Sequence, residues 1–169
     1  MKEEPHTFHI VLTIHNSRTS SRMRKYKVRK NRANFLSLGD ELIITKCISE
    51  VVKRFNLKCS AYNICTDHVH ILLTCQPSEL SRQVKMIKSI SSKQFNRHEN
   101  DGRNRLWSQK FFYRCTDEVQ LGRLSKTVGQ VFERTYAQNA ILYIQNNRNK
   151  HGLERSEELE KIISEFVIS

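Results

Sequence analysis

Two strand-like runs separated by only two residues constrain this chain more than any other feature. KCSAYNIC (Lys58–Cys65) and HVHILLTC (His68–Cys75) are parted by Thr66 and Asp67 alone, a spacing that suits a tight antiparallel hairpin. Ahead of it, FHIVLTIH places Phe8, Ile10, Leu12 and Ile14 on one strand face and His9, Val11, Thr13 and His15 on the other. Between these, Gly39–Phe55 repeats Ile44, Ile48, Val51, Val52 and Phe55 at helical spacing. After the hairpin, Ser78 is suited to cap a second helix running to about Arg97, with Leu80, Val84 and Ile87 inward. ENDGRN (Glu99–Asn104) is a turn cluster, and KFFYRC (Lys110–Cys115) is aromatic and β-prone. The order strand, helix, strand, strand, helix, strand predicts an α+β fold, a ferredoxin-like βαββαβ antiparallel sheet with two helices on one face. Its other face stays open until a further helix covers it.

From about Leu121 to Asn147 the pattern is mostly helical, with a break expected near Gly129. Glu154–Phe166 reads as an acidic amphipathic helix with Leu159, Ile162, Ile163 and Phe166 on one side. The chain thus divides into a body, residues 1–153, and a tail, 154–169, that docks on the body or on a partner.

Charge narrows the partners. The 169 residues carry 29 Lys and Arg against 17 Asp and Glu, a net charge of +12, which favours nucleic acid first and an anionic membrane surface second. Eight of those cations, Arg18, Arg22, Arg24, Lys25, Lys27, Arg29, Lys30 and Arg32, lie in Ser17–Arg32 without an acid. Such a stretch is a solvated loop or an arm that grips phosphates. It has no apolar helical face, so membrane binding is the weaker choice. Arg82, Lys85, Lys88 and Lys93 recur along the second predicted helix. No apolar run approaches a membrane span, and MKEEPHTF has no signal-peptide core. Five cysteines without a CxxC pair argue against a disulfide framework and for a reducing, cytoplasmic setting, at the nucleoid when DNA is bound.

His68 and His70 are two apart on a strand, so both imidazoles share one sheet face, opposite Val69, Ile71, Leu73 and Cys75. With a third ligand they make a metal site open to a substrate oxygen; alone they read equally as two histidines on an exposed face. A zinc site from Cys65 and Cys75 is the competing arrangement. Cys75 lies an odd number of residues from both histidines and faces the other side, and the HxE…PCxxC pattern of zinc nucleotide deaminases is absent. Tyr143 has Asn147 four residues on, on one helix face. Its hydroxyl can attack phosphorus and store the bond as an ester; the ordinary reading is a packing tyrosine. Tyr136 is the alternative nucleophile, but Ala140 at its i+4 position ligates nothing. A paired-histidine face, a Tyr with an amide one turn on and a basic chain together fit metal-assisted cleavage of a DNA strand by a tyrosine.

CTDHVHILLTC (Cys65–Cys75), ELSRQVKMIKSISSKQFN (Glu79–Asn96), LWSQKFFYRC (Leu106–Cys115) and YIQNNRNKHGL (Tyr143–Leu153) carry a resemblance. With FHIVLTIH, the chain resembles the single-tyrosine HUH transposases of insertion sequences and their palindrome-associated relatives over roughly His6 to Leu153. The resemblance implies a nuclease domain over 1–153 on a ferredoxin-like core, with added C-terminal helices carrying the tyrosine. It implies His68 and His70 as ligands of Mg2+ or Mn2+, Asn147 as the third, amide ligand, and Tyr143 as nucleophile. The product would be a 5′-phosphotyrosine, the partner single-stranded DNA with hairpin or palindromic ends, and the assembly a homodimer in which the tyrosine acts in its own subunit or across. Arg148 stands where the palindrome-associated branch has Pro. The basic segments would hold the hairpin, and Trp107, Phe111, Phe112 or Tyr113 would stack on unpaired bases or pack in the core. Two rival readings remain: a resident nickase processing chromosomal palindromes, replication origins or conjugation sites, and a non-catalytic nucleic-acid-binding module, for which KFFYRC is a loose match to an RNA-recognition motif.

Overall fold

The computed structural model describes residues 4–29, 33, 35–99, 105–117 and 136–168. Lys30, Arg32, the ENDGRN turn beyond Glu99 and the helical pattern expected over 121–135 lie outside them. The described elements are β1 (His6–Thr13), α1 (Ser21–Lys25), α2 (Leu38–Arg54), β2 (Lys58–Cys65), β3 (His68–Cys75), α3 (Pro77–Glu99), β4 (Phe112–Cys115), α4 (Tyr136–Gln145), α5 (Asn147–Lys150) and α6 (Glu157–Ser164). The four strands form one antiparallel sheet in the order β2-β3-β1-β4.

The hairpin closes through Thr66 and Asp67, with Cys65 opposite His68 and Asn63 opposite His70. A bulge between Cys59 and Ala61 shifts the register. It lets Cys59 face one side of the sheet while Ala61, two residues on, faces the other. β1 pairs with β3 along its whole length, from His6 opposite Cys75 to Thr13 opposite His68.

Alternation on the strands decides what each face meets. Phe8, Ile10 and Leu12 of β1 and Val69, Ile71 and Leu73 of β3 join Ile44, Ile48, Val51 and Val52 of α2 and Val84, Ile87 and Phe95 of α3 in the main core. Each such side chain, fully buried, stabilises the fold by about 2 kcal/mol before entropy is counted. A capping box starts α2: Asp40 N–H donates to Ser37 Oγ at 3.2 Å, and Ser37 N–H donates to Asp40 Oδ2 at 2.8 Å. The opposite face is covered by α4 and α5, and Ile144 fills a small second cluster with Ala61 and Leu72.

Four expectations shift in detail. α3 begins at Pro77, so Ser78 lies inside the helix and is no cap; Pro fits the first turn, where its missing N–H would be unpaired anyway. β4 is shorter than Lys110–Cys115, because β1 first meets the chain at residues 106–108: His15 N–H donates to Leu106 O and Ser108 N–H to Thr13 O. The tail helix spans Glu157–Ser164 rather than Glu154–Phe166. It docks on the body: Leu159, Ile162 and Phe166 enter the main core, and Lys46–Glu158 and Lys53–Glu165 pair at 3.2 and 2.8 Å. The fourth is a break at Asn146, between α4 and α5.

Candidate active site

His68 and His70 are 2% and 5% exposed. The reading of two surface histidines is therefore corrected: α4 and α5 cover them. Buried imidazoles need partners, and each has one from the sheet. His68 Nδ1 lies 2.5 Å from Asp67 Oδ1 in the hairpin turn. That hydrogen bond holds the Asp67 carboxyl below the usual range against the opposing effect of burial, and His68 and Arg18, whose Nε is 3.8 Å from Oδ2, add to it. His70 Nδ1 lies 2.8 Å from His9 Nε2. Burial first, then the neighbouring His68, His9, Arg18 and His151, pushes His70 down to about 3, and burial lowers His9. Both rings of that pair are thus neutral near pH 7, one donating and one accepting.

The third donor arrives from α5. Asn63 Nδ2 donates to Ile144 O at 2.8 Å and to Gln145 O at 3.3 Å, pinning the end of α4 over the sheet. After Asn146, Asn147 is fully buried, with Oδ1 3.2 Å from His68 Nε2 and 3.0 Å from Cys65 Sγ. Its Nδ2 is buried with no hydrogen-bond partner. Tyr143 is 42% exposed, so it and Asn147 do not share one environment despite their spacing. Its ring centroid is 5.5 Å from His70 and 6.0 Å from His9 within the same chain, and Lys150 Nζ sits 4.7 Å over it. Tyr136 is engaged elsewhere, under the Arg114 guanidinium at 4.6 Å.

Two of these donors, His68 Nε2 and Asn147 Oδ1, stand at a spacing that fits a divalent metal. In the tautomer that keeps its only proton on Nδ1 toward Asp67, the His68 Nε2 lone pair would face the Asn147 carbonyl oxygen, acceptor against acceptor. A cation between them removes that repulsion, and neighbouring ligands of an octahedral Mg2+ stand about 3 Å apart. The hydrogen bonds from His68 to Asp67 and from His70 to His9 are of the kind that fixes the tautomer of an imidazole where it binds metal.

The sequence profile described as "Transposase IS200 like" matches residues 6–130. The chain belongs to the IS200-like transposase family. The match spans β1 to β4 with His68 and His70, and stops before Tyr143 and Asn147. No curated protein sequence matches. Among solved structures, a REP-associated tyrosine transposase bound to a REP hairpin is similar at a TM-score of 0.52 and 17% identity, over 91% of this chain and 73% of that one; at that identity the likeness shows the fold. A transposase candidate from Deinococcus radiodurans R1 aligns at a TM-score of 0.43 and 13% identity, over 65% of this chain and 78% of that one, too low to carry weight.

Against this family background the remaining predicted residues separate into two groups. Arg18, Arg22, Arg24, Lys25, Lys27 and Arg29 are exposed on the segment leaving β1, whose start is tied to the hairpin turn: Ile14 N–H donates to Asp67 O at 2.8 Å. Arg82, Lys85 and Lys93 are exposed on α3, in the layer across the sheet. Lys88 is committed differently, donating to Ser108 O and Gln109 O at 2.7 and 2.9 Å. Trp107 is core, its Nε1–H donating to Ser91 Oγ at 3.0 Å, whereas Phe112 and Tyr113 are 66% and 60% exposed. Arg148, in place of Pro, donates from Nη1 to Glu41 Oε2 at 2.6 Å and Ile64 O at 2.9 Å, and from Nε and Nη2 to Glu154 O. Sequence reasoning missed His9 and Asp67, the hydrogen-bond partners of the two histidines. The one available signal was parity, which puts His9 on the face of β1 opposite Phe8, Ile10 and Leu12.

Proposed function

We propose that the chain is a metal-dependent tyrosine endonuclease and strand transferase acting on single-stranded DNA with hairpin ends, on a ferredoxin-like core. The family and the strand order β2-β3-β1-β4 support the core; the hairpin bound by the structural relative supports the class of substrate. The observation that carries the reading is the Tyr143 ring 5.5 Å from His70.

His68, His70 and Asn147 would hold Mg2+ or Mn2+, which when bound polarises a phosphoryl oxygen and offsets charge at phosphorus. Asp67 and His9 keep the two imidazoles in one orientation and tautomer. Lys150 holds the Tyr143 ring against the histidines. The Tyr143 oxygen attacks the scissile phosphorus in line, the bond from phosphorus to the 3′ oxygen breaks, and the phenolic proton passes through solvent to that leaving oxygen. A 5′-phosphotyrosine and a free 3′-OH result. Attack by another 3′-OH reverses the step and rejoins DNA without a nucleotide cofactor. The basic segment after β1 and the exposed cations of α3 grip phosphates, and Phe112 and Tyr113 offer faces to unpaired bases.

The test is a hairpin oligonucleotide with a single-stranded flank, Mn2+, and a denaturing gel. The wild type should form a covalent band, and Tyr143→Phe should abolish it while binding the hairpin nearly as well. Binding without a band in the wild type would favour a non-catalytic module, and an undiminished band in the variant would remove Tyr143 from the chemistry.

A further inference from the structure

The Asn147 oxygen and His68 Nε2 belong to a second donor set as well as the first. Register puts Cys65 directly opposite His68, so its thiol faces the same side, with Sγ 3.0 Å from Asn147 Oδ1. His151 follows Asn147 by four residues, one helical turn on, and its N–H donates to Asn147 O at 3.2 Å. Its ring meets the His68 ring edge-on at 5.1 Å. One ligand atom each from Cys65, His68 and His151 lies within 4.8 Å of the other two. Cys65, His68 and Asn147 are buried, whereas His151 is exposed and leaves a way in for an ion.

A thiolate, two imidazoles and an amide oxygen are not donors that Mg2+ selects; they suit a borderline-soft ion in four-coordinate geometry. At zinc-ligand bond lengths the edges of such a tetrahedron are about 3.3–3.8 Å, and the 3.0 and 3.2 Å separations stand a few tenths short of that. We propose that Cys65, His68, Asn147 and His151 form a site for a Zn2+-class ion, and that filling it excludes metal from the His68–His70 pair. The exclusion follows from the donor inventory. His68 Nδ1 is taken by Asp67, and Nε2 has one lone pair, which serves one ion at a time. Loading displaces the thiol proton to solvent. Its consequence, inhibition of cleavage by zinc, rests on the nuclease reading; the site itself does not.

The experiment titrates the metal-free full chain with Co2+ followed by Zn2+. The expected result is a strong near-ultraviolet thiolate-to-cobalt band saturating at one ion per chain and bleached by Zn2+. Cys65→Ser should lose the band. His151→Gln, on the surface and safe for folding, should weaken Co2+ binding at least about tenfold, so the site is tested even if the Cys65 variant fails to fold. Cys115→Ser should keep the band, which separates this site from the trio His6, Cys115 and Asp117 at the sheet edge. No band, a band that survives Cys65→Ser, or one lost with Cys115→Ser overturns the proposal. In the hairpin assay with Mn2+, equimolar Zn2+ should suppress the covalent band of the wild type and spare that of His151→Gln in proportion to its weaker binding; equal suppression of both would overturn the exclusion. Absence of cleavage under every condition would defeat the nuclease reading and leave the cobalt spectra to judge the site.

Discussion

Alternate residues of β3 enter two different interiors. Val69, Ile71 and Leu73 meet α2 and α3 in an aliphatic layer, whereas His68 and His70 meet α4 and α5 among His9, Asn63, Cys65 and Asn147. The two sets are almost equally hidden from water. What differs is how burial is sustained. One face is held by transfer of apolar surface, whose loss leaves a void. The other carries, beside the small cluster of Ala61, Leu72 and Ile144, polar groups that must each find a partner, and one, Asn147 Nδ2, has none. Stability and chemistry are thereby divided between the two sides of one sheet, and a strand with a period of two serves both.

Substitution on β3 should break this contrast most visibly. Ile71→Ala should cost about 4 kcal/mol in urea unfolding through the cavity it leaves, with residual cleavage in the fraction still folded. His70→Ala should cost about 1 kcal/mol and abolish the covalent band. Equal stability losses would mean that the two faces are not energetically distinct. Next in size is a contact that ties the layers together. Arg148, on α5, reaches Glu41 of α2 past the end of β2, and the pair is 13% and 2% exposed. Burial raises the Glu41 carboxyl while Arg148 opposes that rise. Arg148→Ala strands a buried carboxylate and should cost about 3 kcal/mol by the same measurement. A loss under 1 kcal/mol would make the link incidental.

The smallest effect sharpens the comparison through pH. An unfolded histidine takes up a proton near pH 6.5, while folded His70 resists until about 3. Between those values the unfolded state binds more protons, so stability falls as pH falls. From pH 7 to 5, with EDTA present, this single group should remove about 2 kcal/mol, with His9 acting in the same direction. His70→Gln should flatten the slope by that amount. An unchanged slope would show that the His70 face is open to water.

Much of this was legible from periodicity. Strand alternation assigned the faces of β1 and β3, helical spacing found α2 and α3, and the two-residue gap fixed the hairpin, because these features depend on neighbours in sequence. The break at Asn146 and the bulge between Cys59 and Ala61 carry no such signature. Nor do the pairs His9–His70 and Cys65–Asn147, which join residues 61 and 82 positions apart. A pattern tells which way a side chain points, not what will lie on top of it. Hence the histidines could be placed on one face but not known to be covered, and Arg148 read as a departure from a motif although it clamps three segments.

The amide of Ile168 donates to Cys59 O at 2.8 Å, beside the bulge in β2. Among the described residues, that stitch obstructs one margin of the sheet, while the other, β4, is four residues long and carries two exposed aromatic rings. Any foreign strand seeking to extend this sheet, from a second copy or from a misfolded neighbour, is therefore directed to the β4 side. Trimming the tail ahead of Ile168 would unlock the first margin and turn a one-sided template into a two-sided one.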